Sequence, residues 1–148
     1  MTLSDLPWDD RWSATAAHFA LMSKDPSTQV GAVIVRDNLL LVQGWNGLPR
    51  RVRDLTERLT DRPTKLAMTI HAEMNCALTA ARNGVPLAGG TCYVTAPPCS
   101  QCAAALIQAG VVRVVHPAPS PEFASRWADS LGLASKMFAE AGVAVCVT

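Results

Sequence analysis

The sequence predicts an α/β protein of three layers, with one mixed five-stranded sheet and helices on both of its faces. Two observations predict it. Short apolar runs and helical stripes succeed one another in the order α, β, β, α, β, α, β, α, β. The first two strands are joined by a tight turn and so lie antiparallel, whereas the strands of the second half alternate with helices, which implies parallel crossovers.

Asp9 or Asp10 caps a first helix through Trp12, Ala16, Phe19 and Ala20 that ends near Ser23. Val30 to Val35, the turn Asp37-Asn38, and Leu39 to Val42 form a hairpin. From Gly44 to Lys65 the breakers Asn46-Gly47, Leu48-Pro49 and Arg62-Pro63 predict a loop with a short helical piece. His71 to Ala81 reads as a helix stopped by Asn83-Gly84, Gly90 to Thr95 as a strand, and Pro98 to Ala109 as a helix closed by Gly110. Val111 to Val115 is a strand, Pro117 to Pro121 a turn, Glu122 to Ala141 a helix and Val143 to Val147 a last strand. No repeat or linker interrupts this order, so a single domain over residues 1–148 is expected.

Of the 148 residues, 49% are apolar and 17% charged, which suits a packed core and excludes a disordered chain. A net charge of +1 lacks the broad basic surface of a general nucleic-acid binder, so no polymeric nucleic acid is expected as partner. No apolar run approaches the roughly 20 residues of a membrane helix, and the opening residues carry no secretion signal. A cytoplasmic protein is expected, and there a close cysteine pair more often binds metal or does redox chemistry than forms a disulfide.

The chemistry concentrates in His71-Ala72-Glu73 and Pro98-Cys99-Ser100-Gln101-Cys102. Two cysteines three apart at a helix start aim their sulfurs the same way, and the helix dipole favours the thiolates. With His71 they fill three tetrahedral positions of zinc and leave the fourth open to water, the arrangement of a catalytic ion, which brings that water's pKa towards roughly 7. Glu73, two residues past the histidine, is placed to move protons between water and substrate. The two segments match the signature of zinc-dependent nucleobase deaminases. Redox sites and four-ligand zinc ribbons also use such cysteine pairs. A redox site has no need of the histidine and glutamate, and a ribbon needs a fourth ligand from His18, His116, Cys76, Cys92 or Cys146, none of them in a second close pair. Those three cysteines read as small core residues.

Beyond these motifs, Ser23-Lys24-Asp25-Pro26-Ser27-Thr28-Gln29-Val30-Gly31-Ala32, Gly44-Trp45-Asn46-Gly47-Leu48-Pro49-Arg50 and the stretch from Glu57-Arg58 through Asp61-Arg62 to Lys65 carry a wider resemblance. Over nearly its whole length the chain resembles the deoxycytidylate (dCMP) deaminases, a branch of the cytidine deaminase superfamily. The resemblance implies a cytidine-deaminase-like α-β-α fold and zinc-dependent hydrolysis of dCMP to dUMP and ammonia, which supplies thymidylate synthesis. It implies that Asn46 bonds the sugar and that the backbone around Ala72 and Pro98 reads the pyrimidine edge. Tyr93 packs either near the nucleotide or in the core. For a 5′-phosphate, Lys24 with Gln29, or Arg50, offers charge-assisted donors, and a solvated surface role is the alternative for each.

Members of this family commonly form hexamers, activated by dCTP and inhibited by dTTP at a separate site near the loop of residues 50–65. That loop holds six basic residues against three acids, room for a phosphate-rich ligand. Arg51 stands where the pattern has glycine, which alters the effector geometry because glycine alone permits positive φ and close approach freely. No extra cysteine and histidine set stands near the N-terminus, so one zinc per chain is expected. The competing expectations are a deaminase of dCTP, a modified cytidylate, cytidine, guanine or tRNA adenosine, and a non-catalytic zinc-containing nucleotide-binding module.

Overall fold

Val33 and Val35 point to one side of strand β1 (Gly31–Arg36), while Ala32 and Ile34 point to the other, and all four are buried. An apolar run of this kind belongs to a strand covered on both faces. The computed structural model describes residues 1–148 and bears out the expected architecture. Helix α1 (Trp8–Ala20) covers one face through Trp12, Ala16 and Phe19. The other face packs on α4 (Ala72–Asn83), α5 (Ser100–Gln108) and α7 (Ala128–Ala141), and holds the larger core around Ile34, Cys76, Cys92, Leu106 and Phe138.

The sheet runs in the order β2-β1-β3-β4-β5, with β2 (Leu39–Trp45), β3 (Thr91–Val94), β4 (Arg113–His116) and β5 (Ala144–Val147). β1 is antiparallel to both β2 and β3, and the β3, β4 and β5 pairings are parallel. The sheet is therefore mixed, as expected. Asp37 and Asn38 both take positive φ, 53° and 57°, the conformation a two-residue hairpin turn requires.

Three expectations need correction. Residues 44–65 are more ordered than a loop: β2 runs on to Trp45, Gly47 pairs with Ile70, and two helices follow, α2 (Thr56–Thr60) and α3 (Arg62–Met68). Pro63 breaks nothing there. It lies in the first turn of α3, where a missing N–H is harmless, and Asp61 caps that turn by accepting from the Thr64 amide at 3.1 Å. Second, α1 begins at Trp8 behind Pro7, so Asp9 and Asp10 fall in its first turn rather than capping it. Third, the expected helix 122–141 is two, α6 (Pro121–Arg126) and α7, divided at Trp127, whose φ of −108° and ψ of 13° are not helical.

Candidate metal centre and nucleotide cleft

The starts of α4 and α5 converge at the floor of a cleft. His71 and Cys99 are the N-cap residues of these two helices, with extended backbone, and neither side chain makes a capping bond. Each is thereby free to turn towards the other. The thiol of Cys99 lies 3.4 Å from His71 Nδ1, and Cys102, one turn into α5, lies 3.6 Å from the same nitrogen. The three donor atoms all fall within 4.8 Å of one another. A tetrahedron with zinc bonds of about 2.0–2.3 Å has edges of about 3.5 Å, so the donor set fits zinc in type and in spacing.

The local electrostatics favour a cation. Both helices begin at the cluster, so the positive ends of two helix dipoles lie beside the thiols. The hydrogen bond from Cys102 pulls the Cys99 thiol down to about 4, with His71 adding to the effect and burial opposing it. Cys102 moves upward because it gives that bond and is buried. The bond to Cys99 raises His71. Glu73 follows in the first turn of α4, only 4% exposed, with its carboxyl on the cleft. Burial pushes it up to about 7, its own backbone amide and His71 opposing.

The cleft has a volume of about 420 Å³ and is lined by 19 residues. His71, Ala72 and Glu73 form its floor with Cys99. Asn46 stands on one wall, its side chain accepting from the Val30 amide and donating to the Thr28 carbonyl, both at 2.8 Å. Ala96 and Pro97 line the cleft, while Pro98 is buried just behind them.

The other expected contacts fall elsewhere. Tyr93 faces α1 on the opposite side of the sheet, its hydroxyl donating to Asp9 at 2.8 Å, and so is a core residue away from the cleft. Strand alternation decides this, because the side chains of Cys92 and Val94 take the cleft-side core. Lys24 is an exposed residue paired with Asp54 at 2.7 Å, and Gln29 spends its amide on the Ser23 carbonyl at 2.7 Å. Both lie outside the cleft. Arg50 lines a separate depression of about 320 Å³ with Asn75 and Arg82. Arg51 keeps φ at 69°, so the left-handed turn expected of a glycine persists with arginine in it.

The cations that do line the cleft are Arg62, Lys65 and Arg126. Lys65 bonds Asp25 at 3.1 Å, whereas Arg62 and Arg126 take part in no ion pair. Phe123, Trp127 and Leu131 close the far wall. Their i, i+4, i+8 spacing was the available signal, but it reads equally as a core stripe.

The chain matches the model of the cytidine and deoxycytidylate deaminase zinc-binding region over residues 6–117. It belongs to that family. This deaminase is 41% identical over 138 residues to an uncharacterized deaminase of Aliivibrio fischeri, covering 93% of this chain and 91% of the relative. A probable deoxycytidylate deaminase of Drosophila melanogaster is 34% identical over 148 residues, 88% of this chain and 72% of that one. Among solved structures, the dCMP deaminase of cyanophage S-TIM5 in complex with dCMP and dUMP superimposes with a TM-score of 0.75 at 25% identity, over 94% of this chain and 95% of that one. No helix of this deaminase is long and apolar enough to cross a membrane.

Proposed function

We propose that this deaminase converts dCMP to dUMP and ammonia, with one zinc ion per chain held by His71, Cys99 and Cys102. The observation that carries the reading is the juxtaposition of a buried carboxyl, Glu73, with a three-donor metal cluster at the floor of a nucleotide-sized cleft. When bound, zinc supplies the acidity that makes water nucleophilic near neutral pH. Glu73 takes the proton from the attacking water and delivers it to the base. A second transfer, of the proton left on the new C4 hydroxyl, to the exocyclic nitrogen breaks the C4–N bond, so that ammonia departs and a carbonyl remains. A carboxyl held near 7 by burial suits both halves of such a relay.

The cleft supports a nucleotide over a nucleoside. Arg62 and Arg126 bring two guanidinium groups without carboxylate partners to its walls, and Lys65 stands beside them, a disposition suited to a 5′-phosphate. Asn46, fixed by the Thr28 and Val30 backbone, offers its amide edge to the sugar. Ala72, Ala96 and Pro97 present backbone for the pyrimidine edge. The same resemblance supports a cytoplasmic homo-oligomer, a hexamer, that feeds thymidylate synthesis. It also supports dCTP and dTTP as effectors at the depression lined by Arg50, next to the left-handed turn at Arg51.

Ammonia release from dCMP, CMP, dCTP, deoxycytidine, guanine and adenosine-containing tRNA, each with and without a zinc chelator, tests the reading. Chelator-sensitive turnover of dCMP well above the others is expected. A preference for another substrate would keep the metal chemistry and reassign the cleft. Silence on every substrate despite bound zinc would favour a non-catalytic binding module.

A further inference from the structure

Two side chains far along the chain from both metal motifs reach the metal-ligating segments. Ser130, in the first turn of α7, accepts a hydrogen bond from the Ser100 amide at 2.8 Å and donates to the Ser100 hydroxyl at 3.1 Å. Ser100 is the first residue of α5, and its amide is one of those a helix leaves without an internal partner. An N-cap side chain ordinarily serves the second or third of these amides and leaves the first to another partner. Here the N-cap is Cys99, which caps nothing and lies against His71 instead. Ser130 thus satisfies from another helix the first amide of α5, the one next to Cys99.

Trp127 acts on the other ligand-bearing segment. Its ring meets the His71 imidazole edge to face, with centroids 6.1 Å apart and planes at 83°. Phe123 stacks on Trp127 in turn, at 6.1 Å. His71 hydrogen-bonds only the two sulfurs, so the packing against Trp127 is what restrains its ring from the other side. Trp127 is the corner where α6 gives way to α7, and Ser130 follows it in the first turn of α7.

We infer that Ser130 and Trp127 are positioning residues for the metal. Ser130 holds the first turn of α5 so that Cys99 and Cys102 keep both sulfurs aimed inward, and Trp127 holds the His71 ring towards them. The α6–α7 corner therefore sets metal affinity, although it contributes no ligand. The inference rests on the reading that His71, Cys99 and Cys102 hold zinc.

Zinc affinity measured by competition with a chromophoric chelator tests it, on the whole protein and under conditions where circular dichroism shows every variant folded. Ser130→Ala is expected to weaken zinc binding by about 10–100-fold, the usual effect of losing a group that orients a metal ligand. Ser130→Thr, which keeps the hydroxyl, restores the affinity, and Trp127→Leu weakens it. Unchanged affinity in Ser130→Ala, or an equal loss in Ser130→Thr, overturns the role of the hydroxyl. Unchanged affinity in Trp127→Leu overturns that of the ring. The wild type and Cys99→Ala separate this failure from that of the underlying reading. If zinc binds the wild type, is lost in Cys99→Ala and is unaffected at the corner, only the inference falls. If the wild type binds no zinc, both fall.

Discussion

Gly44 on β2 lies against the backbone of Ala72 at the start of α4, so close that a Cβ on residue 44 would stand 2.6 Å from the Ala72 carbonyl oxygen. The same Cβ would lie 3.0 Å from the Cys76 amide. This contact seats the helix that carries Glu73 directly on the sheet. Gly44→Ala must lift α4 from β2, and overpacking of this kind costs about 1–3 kcal/mol. The expected result is a lower urea midpoint and zinc released at lower chelator concentration. An unchanged midpoint would mean that α4 relaxes without penalty.

Glu73 separates a deaminase from a zinc-holding scaffold. Its carboxyl belongs to the cleft rather than to the three-donor cluster, so Glu73→Ala is expected to retain zinc. Turnover should fall by about 10²–10⁴-fold, the scale of a lost proton-transfer group. Cys99→Ala is expected to lose zinc and turnover together. Metal analysis beside an ammonia assay gives both readouts, and persistent activity in Glu73→Ala would remove the relay assigned to it.

The sheet, its mixed sense and the metal cluster were legible in the sequence because each rests on local pattern. Alternating strands, the Asp37-Asn38 turn and a Cys-x-x-Cys at a helix start are short-range signals. The cleft walls were not, because they depend on which face of a strand or helix meets its neighbour. Tyr93 shows the difficulty: a shift of one residue in strand phase exchanges the cleft side for the α1 side. Lys24 shows another, since its charge is spent on Asp54, 30 residues away. Trp127 and Ser130 came into reach only once the chain broke after Arg126, an event with no proline or glycine to announce it.

Stability should fall in acid through Asp9. Arg113 holds this carboxyl below the usual range, with the Tyr93 hydroxyl assisting and burial opposing. A carboxyl whose folded pKa is depressed adds stability above its unfolded value of about 3.9, and that stability is lost as pH falls through the lower folded value. Burial raises Asp25, but the Thr28 and Ser27 amides, Lys65 and the Ser27 hydroxyl together outweigh it, so this carboxyl is lowered too and adds in the same window. Unfolding midpoints measured from pH 7 to pH 2 should show Asp9→Asn less stable than the wild type near neutrality. The gap should close below about pH 4, where the wild-type carboxyl takes up its proton. A gap independent of pH would assign the loss to packing instead.

Arg62 and Arg126 distinguish a phosphate-bearing substrate from a bare nucleoside. Neither guanidinium has a carboxylate partner, so each is free to bond a 5′-phosphate. A hydrogen bond to a charged group contributes about 1.5–3 kcal/mol, roughly a tenfold to hundredfold effect. Arg62→Ala and Arg126→Ala are each expected to raise KM for dCMP by about that factor while leaving kcat/KM for deoxycytidine as it is in the wild type. Lys24→Ala should change neither, because its ammonium stands outside the cleft against Asp54. Lys65→Ala should raise KM and also lower stability, since it leaves Asp25, 8% exposed, without its cation. Equal losses on dCMP and deoxycytidine in the two arginine variants would mean that these residues shape the cleft rather than read the phosphate.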